Sequence, residues 1–157
     1  MLHLSYGITG FYNSGENPPP RYTAEDIFKE RCLKAAESID AEMIAFHPPK
    51  LNTNFFEAVL DNGVKRIHIL MNAYYPLIAF AASVEKEHIT FYDEEELVDY
   101  FRGFEICEAR DLNQLLKIQR QPEFDLLHDH DLNSAEMSQI MYWQPYTVGE
   151  LVFNYWD

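Results

Sequence analysis

Residues 64–101 read VKRIHILMNAYYPLIAFAASVEKEHITFYDEEELVDYF, and this stretch decides the fold. In its first run Ile67, Ile69 and Met71 fall on one side and His68 and Leu70 on the other, the period of two of a strand. Asn72-Ala73 and the tyrosines after it mark a break. Residues 77–83, LIAFAAS, are apolar on both faces, which predicts a central strand covered on both sides. The charged tip Glu85-Lys86-Glu87 turns the chain into HITFY, which alternates again. A link this short demands an antiparallel hairpin, because a parallel return needs a long crossover. Asp93, Glu94, Glu95 and Glu96 then open a helix, with Asp93 as the cap and the acids at the positive end of the helix dipole. Leu97, Val98 and Phe101 form its buried face, and Gly103 stops it.

Upstream, residues 2–12 alternate loosely and suggest a first strand anchored by Ile8, Phe11 and Tyr12. The three prolines 18–20 favour a rigid, extended connector. A helix is predicted from Thr23, its cap, to Ile39, burying Phe28, Cys32, Ala35, Ala36 and Ile39. Residues 42–47, EMIAFH, read as a strand with His47 at its end. Asn52 or Thr53 then caps a second helix holding Phe55, Phe56, Val59 and Leu60, closed by Asn62-Gly63, which makes 42–71 a β–α–β crossover.

Downstream, FEICEA suggests one more short strand, and Asp111 caps a helix with Leu112, Leu115, Leu116 and Ile118 inside. A helix over 134–142 buries Met137, Ile140 and Met141. Thr147 to Glu150 spell a capping box for a last helix carrying Leu151, Val152 and Tyr155. The expected architecture is a single α+β domain over residues 1–157: a mixed, mainly antiparallel sheet of about five strands, with helices on one face and at the ends.

Composition narrows the function classes. Of 157 residues, 26 are acidic and 12 basic, a net charge of −14 that repels nucleic acid and anionic membranes and attracts a basic protein. Solubility alone accounts for the same charge. Mean hydropathy is −0.31, and no run approaches the ~20 apolar residues of a membrane span. The first residues lack the basic start and apolar stretch of a signal peptide, so a cytoplasmic chain is expected. Cys32 and Cys107 match no metal or redox spacing and read as buried free thiols.

Catalytic motifs are missing: there is no GxSxG, no catalytic-cysteine signature, and Gly7-Ile8-Thr9-Gly10 lacks the lysine of a phosphate loop. No cofactor is expected. The metal-like cluster is His128-Asp129-His130-Asp131, whose histidines would project to one side of an extended segment as a ligating pair does. With His47 it would suit a metal-dependent hydrolase or metal-binding protein, and a solvated loop explains the same residues. The end of the chain gathers Tyr142, Trp143, Tyr146, Phe153, Tyr155 and Trp156 into fifteen residues. Such rings are enriched at binding surfaces, and a terminal helix also needs to bury them. The candidate binding set is therefore Trp143, Tyr146, Tyr155 and Trp156 with the acids Asp93, Glu94 and Glu95.

In general character this tail, small size and acidity resemble the small acidic bacterial proteins that neutralise secreted or contact-delivered toxins. The resemblance implies a non-catalytic inhibitor of a basic toxin and assigns no residue a role. A structural subunit that pairs through an edge strand or the aromatic tail is the remaining alternative.

Overall fold

The computed structural model describes residues 2–19, 24–86 and 88–156. Five strands lie side by side in chain order, each antiparallel to the next: β1 (Glu42–His47), β2 (Phe55–Asp61), β3 (Arg66–Asn72), β4 (Leu77–Glu85) and β5 (His88–Phe91). A two-residue strand, β6 (Glu105–Ile106), runs parallel to the start of β4, through the pairs Leu77–Glu105 and Ile78–Ile106.

The alternation of β3 is realised as two cores, one on each face. Ile67, Ile69 and Met71 pack with Phe28, Cys32 and Ala35 of α1 (Glu25–Ser38) and with Leu97 and Phe101 of the 3-10 helix Glu95–Phe101. Leu70, with Leu77 and Ala79 of β4, faces the other core. There it meets Leu112 of α2 (Ala109–Leu112), Ile140 of α3 (Ser134–Trp143), and Val148, Leu151 and Val152 of α4 (Val148–Val152). Double coverage is why β4 reads as an unbroken apolar run. No helix among the described residues is long and apolar enough to cross a membrane.

The structure corrects four local expectations. Residues 51–62 hold no helix: β2 occupies them, so β1, β2 and β3 form a meander and the β–α–β crossover does not exist. A strand buried on both faces loses its period of two, and Phe55, Phe56, Val59 and Leu60 then imitate a helical stripe. The deciding signal is Asn62-Gly63, which closes a hairpin here. Asn62 Oδ1 accepts from Val64 N and Lys65 N, each at 2.9 Å, and Gly63 has φ +86°.

Residues 2–12 form turns, and their one ladder-like contact is the bridge of Leu4 to His130. Asp93 does not cap the 3-10 helix; its Oδ1 accepts instead from Ala109 N at 2.8 Å, ahead of α2. The helix expected from Asp111 ends at Leu112, leaving Leu115 66% exposed, and Ile118 belongs to a small hairpin of β7 (Ile118–Gln119) and β8 (Asp125–Leu126). Thr23 lies outside the described residues.

Tight packing at α4 gives a first expected outcome. Val148 and Gly149 sit against α2 and β5, and a Cβ on Gly149 would strike the Phe91 ring and come within 2.9 Å of the Leu112 carbonyl oxygen. Backbone cannot move aside as a flexible side chain can. Gly149→Ala is therefore expected to lower stability by ~1–3 kcal/mol in urea unfolding, through overpacking.

Candidate functional site: a carboxylate-lined cleft

The chain leaving β5 carries Asp93 and Glu94 into the 3-10 helix, which adds Glu95, Val98 and Asp99. Ile106 of β6 and Glu108 close the opposite side, and Phe80 of β4 reaches the floor. Together they enclose a cleft of about 400 Å³. Its acids are held differently. Glu94 is buried, and both its oxygens lie 3.2 Å from Lys65 Nζ of the β2–β3 turn. Asp93 is fixed by Ala109 N, and Glu108 pairs with Arg110 Nε at 2.7 Å. Glu95 and Asp99 carry no hydrogen bond or ion pair among the described residues, so two carboxylates remain open to a ligand. Chemically, an apolar floor under such a rim could accept a lysine or arginine side chain, whose methylene stem would pack on Phe80, Val98 and Ile106 while its cation would meet the acids.

Asp93, Glu94 and Glu95 thus line one cleft, whereas the aromatic candidates are dispersed. Trp156 is only 7% exposed and packs in the core, its ring 6.3 Å from Phe11. Tyr155 is half-buried with its ring edge-on to Phe55, and burial, with the charge of Glu57, pushes its hydroxyl up to about 12. Trp143 Nε1 donates to Gln139 Oε1 at 3.0 Å. Tyr146 alone of the four is fully presented, at 78% exposure, beside Leu115 and Arg120 around a separate hollow of about 270 Å³.

The histidine cluster does not converge. The chain bends through 127–129, so the side chains do not share the one side an extended segment would give them. Lys117 N donates to His128 Nε2 at 2.8 Å, and burial, then the charge of Lys117, lowers the His128 pKa. Leu132 N donates to His130 Nδ1 at 3.1 Å, which leaves His130 Nε2 to donate to Asp125 at 3.0 Å. Asp129 faces His3. Among the described residues, no three or more His, Cys, Asp or Glu side chains are gathered as a metal-binding group. His47 is exposed at the end of β1, opposite Glu57 in register. Cys32 and Cys107 are free and buried; burial pushes the Cys107 thiol up to about 12, helped by Glu105 and Asp111, and raises that of Cys32.

One mostly buried carboxylate–imidazole pair was hidden by the expected helix. Glu57 Oε2 lies 2.6 Å from His68 Nδ1, and both side chains are mostly buried on adjacent strands. A carboxylate at Nδ1 orients an imidazole as in catalytic triads. The cross-strand neighbours of His68 are Val59 and Ala81, which offer no nucleophile. The alternation Phe55, Glu57, Val59 would have revealed Glu57 once the hairpin at Asn62-Gly63 was recognised.

No family model matches the chain, no curated protein is similar to it, and no solved structure matches it.

Proposed function

We propose that the protein is a non-catalytic binding domain that docks a basic protein partner, in the manner of an immunity-type inhibitor of a basic toxin. The cleft of Asp93, Glu94, Glu95, Asp99 and Glu108 carries this reading. It places five carboxylates around an apolar floor, with Lys65 as the one cation among the described residues bonded to them from outside its own stretch. Charge of −14 over the whole chain would speed the encounter, and the cleft would receive a lysine or arginine of the partner. Nucleic acid and anionic membranes are unsuited to the same field.

Co-expression with a panel of basic toxin domains tests the proposal, with growth rescue and salt-dependent binding of the rescued toxin as readouts. Glu95→Gln/Asp99→Asn keeps the shape of the rim and is expected to weaken binding of that toxin about 30-fold or more, the scale of two interfacial charges. The salt dependence should flatten with it. No rescue by the wild-type protein across the panel, or equal affinity of the neutralised variant, would defeat the reading.

A further inference from the structure

His3 has a carboxylate at each ring nitrogen: Nδ1 lies 2.8 Å from Asp129 Oδ2, and Nε2 lies 2.9 Å from Asp131 Oδ2. A neutral imidazole has one N–H and one lone pair, and a lone pair facing a carboxylate is repelled. Only the imidazolium donates on both sides. The backbone is joined at the same place, Leu4 N donating to Asp129 O at 3.0 Å and Asp131 N to Leu4 O at 2.8 Å. We propose that protonated His3, gripped between Asp129 and Asp131, is a pH-operated clasp that fastens residues 2–5 to the 129–131 loop.

The ring and both its acids are exposed to solvent, and the neighbouring titratable groups bond elsewhere. From the 127–132 loop, His130 turns its Nε2 to Asp125. From its own segment, Tyr6 donates to Asn17 O and toward Glu16. From the β3–β4 connection, Tyr75 donates to Tyr6 O, with the charges of Glu136 and Asp131 raising its pKa behind the effect of burial. From α3, Glu136 is bonded to Gly7 and Thr9. Asp129 and Asp131 are thus the charged groups that touch the ring among the described residues. Their hydrogen bonds, Asp131 first and then Asp129, hold the His3 pKa above the ordinary value of 6.5 against a smaller opposing effect of desolvation. A histidine raised in the folded state stabilises fully below its unfolded value, and that contribution is lost as pH rises through the folded one. Loosening is confined to the backbone pairing of Leu4 with residues 129 and 131, because the Leu4 side chain is fully buried in the core and Gly7 and Thr9 remain bonded to Glu136 whatever the state of His3. The clasp shares no residue with the cleft, so its failure leaves the binding proposal untouched.

Histidine NMR titration combined with amide exchange, corrected for intrinsic rates, tests the clasp. His3 is expected to titrate above the ordinary value, and protection at Leu4 and Asp131 should fall about tenfold across that titration. The Gly7 and Thr9 amides should stay protected, reporting that the fold is intact. In His3→Gln the Leu4 and Asp131 amides should be weakly protected at every pH, and in Asp129→Asn/Asp131→Asn the His3 titration should return to the ordinary range. A His3 that titrates at or below the ordinary value would overturn the clasp. So would Leu4 and Asp131 amides indifferent to pH, or a double variant with His3 unchanged.

Discussion

Glu136→Ala is expected to destabilise the protein by ~3–5 kcal/mol, the scale of leaving buried partners of a charged group unpaired. Glu136 is completely buried on α3, and its carboxylate accepts four hydrogen bonds. Oε1 takes Gly7 N at 2.7 Å and Asn133 N at 3.2 Å, while Oε2 takes Thr9 N at 3.0 Å and Thr9 Oγ1 at 2.6 Å. The Asn133 bonds complete a capping box, so one side chain both starts α3 and holds the turn of residues 7–9 against it. Alanine strands three backbone N–H groups away from water. Glu136→Gln keeps the volume but turns one oxygen into a donor facing donors, and is expected to cost ~1–3 kcal/mol. Urea unfolding with an unchanged m-value measures both. Losses under ~1 kcal/mol for alanine would show that the carboxylate is not what holds this segment.

The second large effect is expected at the buried asparagines. Asn54 Nδ2 donates to Ile8 O and Val152 O, each at 2.9 Å, and Asn72 Nδ2 donates to the same two carbonyls at 3.1 and 2.9 Å. Asn54 Oδ1 accepts from Asn154 N at 2.8 Å, and Asn154 Nδ2 returns to Thr9 O at 3.2 Å. Three side chains therefore join the N-terminal turn, the ends of β2 and β3, and the end of α4. Asn54→Ala alone strands Asn154 N and opens a cavity, for ~2–3 kcal/mol. Each carbonyl still keeps its Asn72 donor. Removing Asn72 as well takes the last donor among the described residues from both, so the loss in Asn54→Ala/Asn72→Ala should exceed the sum of the single losses by ~1 kcal/mol or more. Strict additivity in a double-mutant cycle would contradict the shared-acceptor geometry.

The sequence by itself determined the sheet between residues 64 and 91, because local alternation, a short charged link and an apolar run read the same way in chain and structure. It also placed Asp93, Glu94 and Glu95 side by side, since neighbours in sequence are neighbours in space. Tertiary structure decided the rest. β2 became a strand because both its faces found cores, and double burial erases the very period that identifies a strand. The acidic run became a cleft when Phe80, Ile106 and Glu108 arrived from β4, β6 and the N-cap of α2. Trp156 went to the core and Tyr146 to the surface although both are aromatic and only ten positions apart, because the segment after α4 turns inward, with Trp156 against Phe11 and with Phe153 and Tyr155 against Phe55. Glu136, an acid on a short helix, is buried because donors from residues 7 and 9, more than a hundred positions away, replace its water. Hydrogen-bond partners so distant in sequence leave no local pattern, and only the folded chain brings them to one place.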